Sequence, residues 1–409
     1  MSETIFVLFL LSGLIKSFLL FFAGNLLIVD ITLLLAVFLI GILLIETYKN
    51  AFARNEFYFP SDSRTILFTL VFLYVWMIAS LYYTPSPRYC YAKIFLFLTN
   101  IIAAVFPFLY SSFNTRRFFR VFAYTGSGLV LFYSKLLPTI YDSYLRNTTD
   151  KEFVLKYLDV GFLAGILVLI VLFGCPGMNR IFKILLIGLN GWAILISAAR
   201  GPLLFLLFIL FIRAAVSIYK FFRTSWTFKF KNILYLFTGF GIVAAGIYYI
   251  MDKYSVLLER SLTRLSQVTD SASASVSERV VMISFSIDKT LENGYRFLFG
   301  YGIGSYGILY GGIDGRLYPH NVILEIAFEL GIMGVLIFLF LLFLYTRKIR
   351  YNLNYLLIFA YLLLNSLKSY SLIDLRIMFG ILSVLVILTG HELKKKDESL
   401  SPVEEKSNS

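Results

Sequence analysis

Apolar segments of about 17 to 25 residues recur along the whole chain, and each can cross the hydrocarbon core of a bilayer as a helix. Hydrophobic residues make up 59% of the sequence and the mean hydropathy is +0.81, well above the range of water-soluble domains. We therefore predict an all-α polytopic membrane protein with about twelve transmembrane helices. The predicted segments lie roughly at 5–22, 26–45, 65–83, 93–110, 119–138, 157–174, 181–198, 201–219, 232–251, 321–345, 354–370 and 374–390.

Lysine and arginine are distributed unequally between the two sides of this predicted bundle. With the N-terminus inside, the short inner connections hold fifteen of them and the short outer ones hold eight, among them Lys93 and Lys368. Anionic lipid and the membrane potential favour cations on the cytoplasmic side. Both termini are therefore predicted to be cytoplasmic, and the net charge of +13 requires no nucleic-acid partner. Cys90 and Cys175 then fall on opposite sides of the membrane, so no disulfide between them is expected.

The same topology divides the chain into four parts. Residues 1–251 hold nine predicted transmembrane helices, and 320–390 hold three more. Between them, 252–319 forms one large extracytoplasmic loop with short helices, because its seven basic and seven acidic residues make it too polar for the membrane. One of these helices is predicted to begin near Ser277, a residue type that caps helix N-termini. Residues 391–409 are predicted to be a disordered cytoplasmic tail.

A glycine-rich stretch, FGYGIGSYG, lies inside that loop. Gly302, Gly304 and Gly307 match the spacing G-x-G-x-x-G of dinucleotide-binding turns. Such a turn needs a preceding β-strand in a βαβ unit and a following acidic residue for the ribose, and the sequence offers neither. The dinucleotide interpretation therefore fails.

His320 follows Pro319 at the outer mouth of the apolar segment 321–345. Its imidazole titrates near neutral pH, so it is suited to accept a proton from a hydroxyl group. Proline is compatible with the first turn of a helix, so the competing interpretation is a polar residue that only caps this helix. Position alone does not separate the two.

Two arginines are further candidates for a site at the outer surface. Arg200 lies in the tight joint SAARGPLL between two apolar segments, where a cation is costly unless it has a partner or snorkels. Arg279 lies in the first turn of the helix predicted near Ser277, where a solvated surface position is the alternative. Together with His320 they could bind a diphosphate, because guanidinium groups pair bidentately with phosphate oxygens.

Other polar residues point to structural roles. Glu325 and Glu329 lie four residues apart in the segment 321–345, and helix packing is the favoured interpretation over a supporting role at a site. No His, Cys, Asp or Glu cluster has the spacing of metal ligands, so no metal and no cofactor are predicted.

These motifs, taken in order, resemble the bacterial O-antigen ligase/polymerase superfamily. SAARGPLL, SERVVMISFSID, FGYGIGSYG and PHNVILEIAFELGIMG carry the resemblance over about Trp192 to Phe343. PHN followed by E-x-G-x-x-G is the more specific part, and LYYTPSPRY resembles a turn that recurs in the family. One departure is Ala199, where a serine is common in the family, and it leaves Arg200 in register.

The resemblance implies a GT-C-type, metal-independent inverting glycosyltransferase in the bacterial inner membrane. Such an enzyme moves a glycan from undecaprenyl diphosphate onto an acceptor hydroxyl at the outer face, the acceptor being a second glycan or lipid A–core. It implies His320 as the catalytic base and Arg200 and Arg279 as diphosphate ligands. The glycine-rich stretch is then expected to let backbone approach the substrate and to let the outer loop open and close.

Rival functions remain open from the sequence. A transporter should show broken helices in repeated halves and charges at mid-membrane depth, and neither is clear here. A structural protein would not need His320 and Arg200 at one outer level. Within the enzyme class, ligase, polymerase and protein O-oligosaccharyltransferase differ in their acceptor, which the sequence does not name.

Overall fold

The computed structural model describes residues 2–23, 30–54, 61–144, 157–175, 177–197, 199–224 and 274–400. This described part of the chain is mostly helical and contains no β-strand. The predicted segment 232–251, the beginning of the predicted outer loop at 252–273, and the end of the tail at 401–409 lie outside the described residues.

The helices are numbered in chain order through the described ranges. They are α1 (Ser2–Ala23), α2 (Ile31–Arg54), α3 (Ser61–Ala79), α4 (Tyr89–Leu109), α5 (Thr115–Tyr144), α6 (Tyr157–Leu169), α7 (Arg180–Ile196), α8 (Arg200–Thr224), α9 (Ala274–Thr290), α10 (Gly294–Phe299), α11 (Ser305–Gly311), α12 (Val322–Ile349), α13 (Leu353–Ser369) and α14 (Arg376–Leu400). A π-helical turn at Ile170–Gly174 extends α6, and 3₁₀ turns occupy Ser80–Tyr82 and Leu372–Asp374.

Eight of these helices are long and apolar enough to cross a membrane: α1 to α4, α6 with its π-helical turn, α8, α12 and α14. Helix α13 is apolar but shorter. Each predicted apolar segment in the described ranges overlaps a helix, which supports a polytopic membrane protein. The number twelve stays a prediction, as does the placement of the large loop outside.

Buried aromatic and aliphatic side chains join these helices into one core. Helix α4 packs along α14, α12 packs along α3, and α6 lies between α5 and α7. Phe6 of α1 stacks on Phe106 of α4 with ring centroids 5.1 Å apart, and Phe118 of α5 completes this contact. Both cysteines are buried and unpaired with each other.

The short elements between α9 and α12 pack onto the bundle. The helix predicted near Ser277 is α9, which begins three residues earlier and contacts α12. Asn293 caps α10 by accepting a hydrogen bond from the Arg296 main-chain N–H at 2.9 Å. Residues 301–307, which include most of the glycine-rich stretch, are buried.

Helix α12 breaks at Gly331, where the backbone is non-helical with a φ of 68° and a ψ of −173°. The carbonyl oxygens just before the break accept hydrogen bonds from outside the helix. Phe328 accepts one from the Tyr301 N–H and Glu329 one from the Gly302 N–H, both at 2.8 Å. Leu330 accepts a third, from the indole N–H of Trp76 at 3.2 Å. The break is therefore compensated by the glycine-rich stretch and by α3.

Close approach of two backbones explains glycine at both sides of this contact. A Cβ at Gly300 would lie 2.5 Å from the Glu329 carbonyl carbon, and one at Gly331 would overlap the Leu298 carbonyl oxygen. Gly300 has a φ of 75°, also in the region that favours glycine. These glycines bring the loop against the protein's own α12, a role that we did not expect from the sequence.

We predict that Gly331→Ala destabilises the protein strongly. The φ and ψ of this residue lie in a region open almost only to glycine, which costs on the order of 1–3 kcal/mol before any overlap is counted. Gly191→Ala in α7 is the matched control, because a Cβ there meets nothing within 4 Å and alanine favours a helix interior by about 0.5–1 kcal/mol. Thermal unfolding in detergent should show a lower midpoint for Gly331→Ala alone, and equal midpoints would contradict this account of the break.

Candidate functional site

The structure separates the two interpretations of His320. Helix α12 begins at Val322, and its N-cap is Asn321. The Asn321 side-chain oxygen accepts from the main-chain N–H groups of Ile323 at 2.9 Å and Leu324 at 3.1 Å, which is the geometry of an N-cap. The capping interpretation of His320 is therefore wrong, as is the place of Pro319 in the first helical turn.

His320 has an unusual backbone conformation. Its φ is 54°, and it is the one non-glycine residue with a positive φ in the described part of the chain. Its ring lies 4.7 Å from that of Tyr318, and the imidazole hydrogen-bonds the Ser369 main chain. The Tyr318 hydroxyl donates to the Ser369 carbonyl oxygen at 3.3 Å. Strained backbone held by its surroundings is frequent at functional sites, so this geometry favours a role for the side chain.

The environment keeps the His320 imidazole neutral. Burial, followed by the positive charge of Arg279, lowers the pKa of His320 below its ordinary value of 6.5. The hydrogen bond to Ser369 and the charges of Glu278 and Glu325 oppose the shift without cancelling it. At neutral pH the group is thus a free base that can accept a proton.

Lys368 links the two predicted arginines, and Arg279 in turn acts on His320. It lies at the end of α13, and its ammonium group interacts electrostatically with Arg279 of α9 and with Arg200, the first residue of α8. Its Nζ is 5.7 Å from the Phe205 ring centroid, and a Cβ at Gly201 would lie only 2.7 Å from it. Arg200, Arg279, Lys368 and His320 therefore form one group, which we call the cationic cluster.

In the described structure, two members of the cationic cluster lack an ionic partner. No carboxylate among the described residues lies within 4.0 Å of the charged groups of Arg279 and Lys368. Cations gathered in this way at a helix boundary are suited to bind a multiply charged anion, because phosphate oxygens accept several charge-assisted hydrogen bonds at once. A neutral base stands at the edge of this site.

Sequence reasoning missed Lys368. It was counted only as one of the cations of the outer connections, since a lysine at the end of an apolar segment is indistinguishable from a snorkelling one. The same count placed Lys93 in an outer connection, and this was wrong. Lys93 belongs to α4 and is 1% exposed, because two buried carboxylates of α12, Glu325 and Glu329, pair with it.

Arg316, which lies four residues before His320, forms an ion pair with Asp374. Its guanidinium contacts both carboxylate oxygens of Asp374 at 2.8 Å and lies over the Tyr318 ring. In the described ranges no three His, Cys, Asp or Glu side chains are grouped as metal ligands would be. Metal independence stays a prediction.

Comparison with known proteins bears on the same region. A family model described as O-antigen ligase matches residues 184–339. The matched range includes Arg200, Arg279 and His320, whereas Lys368 lies beyond it. None of the curated proteins matches the chain. The family match confirms, over this part of the chain, the resemblance of the motifs to the O-antigen ligase/polymerase superfamily.

Proposed function

We propose that the protein is a metal-independent inverting glycosyltransferase with a GT-C-like helical fold. It moves a glycan from undecaprenyl diphosphate onto an acceptor hydroxyl at the outer face of the bacterial inner membrane. The observation that carries the proposal is the cationic cluster: Arg279 and Lys368, which have no ionic partner among the described residues, stand beside a histidine whose lowered pKa keeps it a base.

The chemistry follows from the charges of this cluster. The neutral imidazole of His320 accepts the proton of the acceptor hydroxyl while its oxygen attacks the anomeric carbon of the donor. The bond to the diphosphate breaks, and the leaving group departs with the electron pair. Arg200, Arg279 and Lys368 stabilise the negative charge that develops on it. A single displacement inverts the anomeric configuration.

The proposed orientation agrees with the direction of α12. The helix begins beside His320 and ends in a basic run at Arg347, Lys348 and Arg350. The positive-inside bias favours this basic end at the cytoplasm. His320 then faces outward, and both termini are cytoplasmic.

The proposal is tested with purified protein in detergent, an undecaprenyl-diphosphate-linked glycan and EDTA. We expect glycan transfer and release of undecaprenyl diphosphate, because cations of the protein balance the leaving group. Elongation of a second lipid-linked glycan would identify a polymerase, transfer to lipid A–core a ligase, and transfer to a protein hydroxyl an O-oligosaccharyltransferase. No transfer to any of these acceptors would contradict the function, and loss in EDTA with rescue by one divalent ion would contradict metal independence.

We predict that His320→Asn retains the fold and loses activity. Asparagine tolerates a positive φ, so the backbone conformation is preserved, but it cannot accept a proton near neutral pH. The transfer rate should fall roughly 100-fold or more at normal protein level. His391→Asn, at the other histidine of the chain, is the control and should be unchanged.

The wild-type pH profile provides a second check on His320. Because its pKa is lowered, the base form persists through pH 6.5 and is lost only as pH falls below that value. The transfer rate should therefore stay high at pH 6.5 and fall at lower pH. An active Asn variant with the wild-type profile would show that His320 is not the base.

We predict that arginine geometry matters at both arginines of the cluster. Ala at Arg200 or Arg279 should cost on the order of 2–4 kcal/mol of transition-state stabilisation, by analogy with the loss of one oxyanion donor. Lys should restore little, since an ammonium group lacks the bidentate fork. Lys289→Ala, in the same helix as Arg279 but paired with Glu292, is the matched control. Near-normal transfer by Arg200→Ala would leave that residue a snorkelling cation.

A further inference from the structure

Three ionisable side chains meet in the interior of the bundle, and one of them, Glu325, lies in the first turn of α12. The Lys93 Nζ lies 2.5 Å from Glu325 Oε1 and 2.7 Å from Glu329 Oε2, and none of the three side chains is more than 1% exposed. Burying charges costs free energy, and apolar residues of similar size often stabilise a core as well or better. Stability alone therefore gives no reason for this arrangement.

The two carboxylates differ in what else they contact. Glu325 accepts hydrogen bonds from the Ser371 hydroxyl and from the Leu372 main-chain N–H, both at 2.7 Å. In the described structure no hydrogen bond joins Glu329 to these residues, and its Oε1 has no hydrogen-bond partner. Of the two carboxylates, only Glu325 thus joins Lys93 of α4 to the described segment between α13 and α14.

That segment, residues 369–374, is also held by its other neighbours. The Asn100 side-chain amide donates to the Leu372 carbonyl oxygen at 2.8 Å, and Arg316 holds Asp374. Its first residue, Ser369, directly follows Lys368 and accepts a hydrogen bond from the hydroxyl of Tyr318, whose ring lies 4.7 Å from that of His320. One end of the segment therefore adjoins Lys368 and the surroundings of His320, and the other end holds the contacts of Glu325.

We infer that Lys93 and Glu325 are positioning residues: their buried ion pair fixes segment 369–374, and through it the His320 imidazole and the Lys368 ammonium group. The inference rests on the proposed function for its effect on rate. Its effect on His320 itself does not depend on glycan transfer and can be measured separately.

Glu325→Gln and Glu329→Gln form a matched pair of variants. Both remove one buried negative charge from α12, and both leave Lys93 one carboxylate partner. In Glu325→Gln one carboxylate oxygen becomes an NH2 donor, so at least one of the three groups that donate to Glu325 loses its acceptor and the hold on the segment is weakened. We expect kcat to fall about 10- to 100-fold, as a misplacement of about 1 Å can produce. Glu329→Gln should stay within about twofold, since this carboxylate does not reach the segment.

A second readout reports on His320 without substrate. In a His391→Gln background His320 is the one histidine, and the pH dependence of its modification by diethyl pyrocarbonate follows its neutral form. The groups that act on it or lie against it are Glu278 and Arg279 of α9, Glu325 of α12, Ser369 of α13 and Tyr318 of the preceding loop. The Glu325 charge favours the imidazolium form, so its removal lowers the pKa. The midpoint should therefore move to lower pH in Glu325→Gln and stay near wild type in Glu329→Gln.

The two variants must differ if the inference is right. Equal effects on kcat and on the His320 midpoint, or a wild-type Glu325→Gln, would overturn it. If Glu325→Gln does not fold, Ser371→Ala decides, because it removes one contact to segment 369–374 and no charge. That variant should lower kcat severalfold with little change in the His320 midpoint, and unchanged kcat would overturn the inference. If wild type transfers no glycan, the proposed function fails, whereas a midpoint shift confined to Glu325→Gln would still show that the Glu325 carboxylate acts on His320.

Discussion

The break in helix α12 at Gly331 is the feature on which the rest of the described structure depends. Inside a bilayer no water can satisfy a free carbonyl oxygen, so a broken helix is tolerated only where protein supplies the missing donors. Tyr301, Gly302 and Trp76 supply three of them. The break thereby joins α12 to the segment after α10 and to α3, and these contacts hold α12, which carries Glu325 and has His320 at its mouth.

A different constraint acts at the outer end of α12, namely the free-energy cost of placing charged groups near an apolar medium. Arg279 and Lys368 repel each other there without carboxylates to balance them in the described structure. Burial, and after it the positive charge of Arg279, lowers the pKa of the neighbouring His320 and keeps its imidazole neutral. Arg279 thus contributes to both halves of the proposed mechanism, because it is a proposed ligand of the anion and also helps to keep the base unprotonated.

Many of the helices and three residues of the cationic cluster could be predicted from the sequence, for physical reasons that differ between them. Apolar length predicts the helices because the bilayer thickness is fixed. The motifs singled out Arg200, Arg279 and His320, and the structure groups them. Lys368 was missed because its role depends on the tertiary contact with Gly201, which no local pattern shows.

Local sequence patterns also did not identify the N-cap of α12, because two neighbouring residues were candidates for it. Both His320 and Asn321 precede the apolar run, and only backbone geometry shows that Asn321 is the cap. Likewise, the glycines of FGYGIGSYG are typical of a loop near substrate, but Gly300 lies against the backbone around Gly331, and Gly302 and Gly304 lie against Thr84 and Cys90. The position of Lys93 in the interior could not be predicted either, because it depends on carboxylates more than 230 residues away in the chain.

The two cations that no described carboxylate balances, Arg279 and Lys368, also explain how binding energy favours the transition state of the proposed reaction. Without donor, the fold holds Arg279 and Lys368 close together against their mutual repulsion. A diphosphate removes that repulsion, so part of its affinity is relief of a strain that the protein already carries. As the glycosidic bond breaks, the diphosphate gains negative charge, and the same cations then bind it more tightly than the intact donor. Preorganised repulsion of this kind favours the transition state over the ground state, because its relief is largest where the anionic charge is largest.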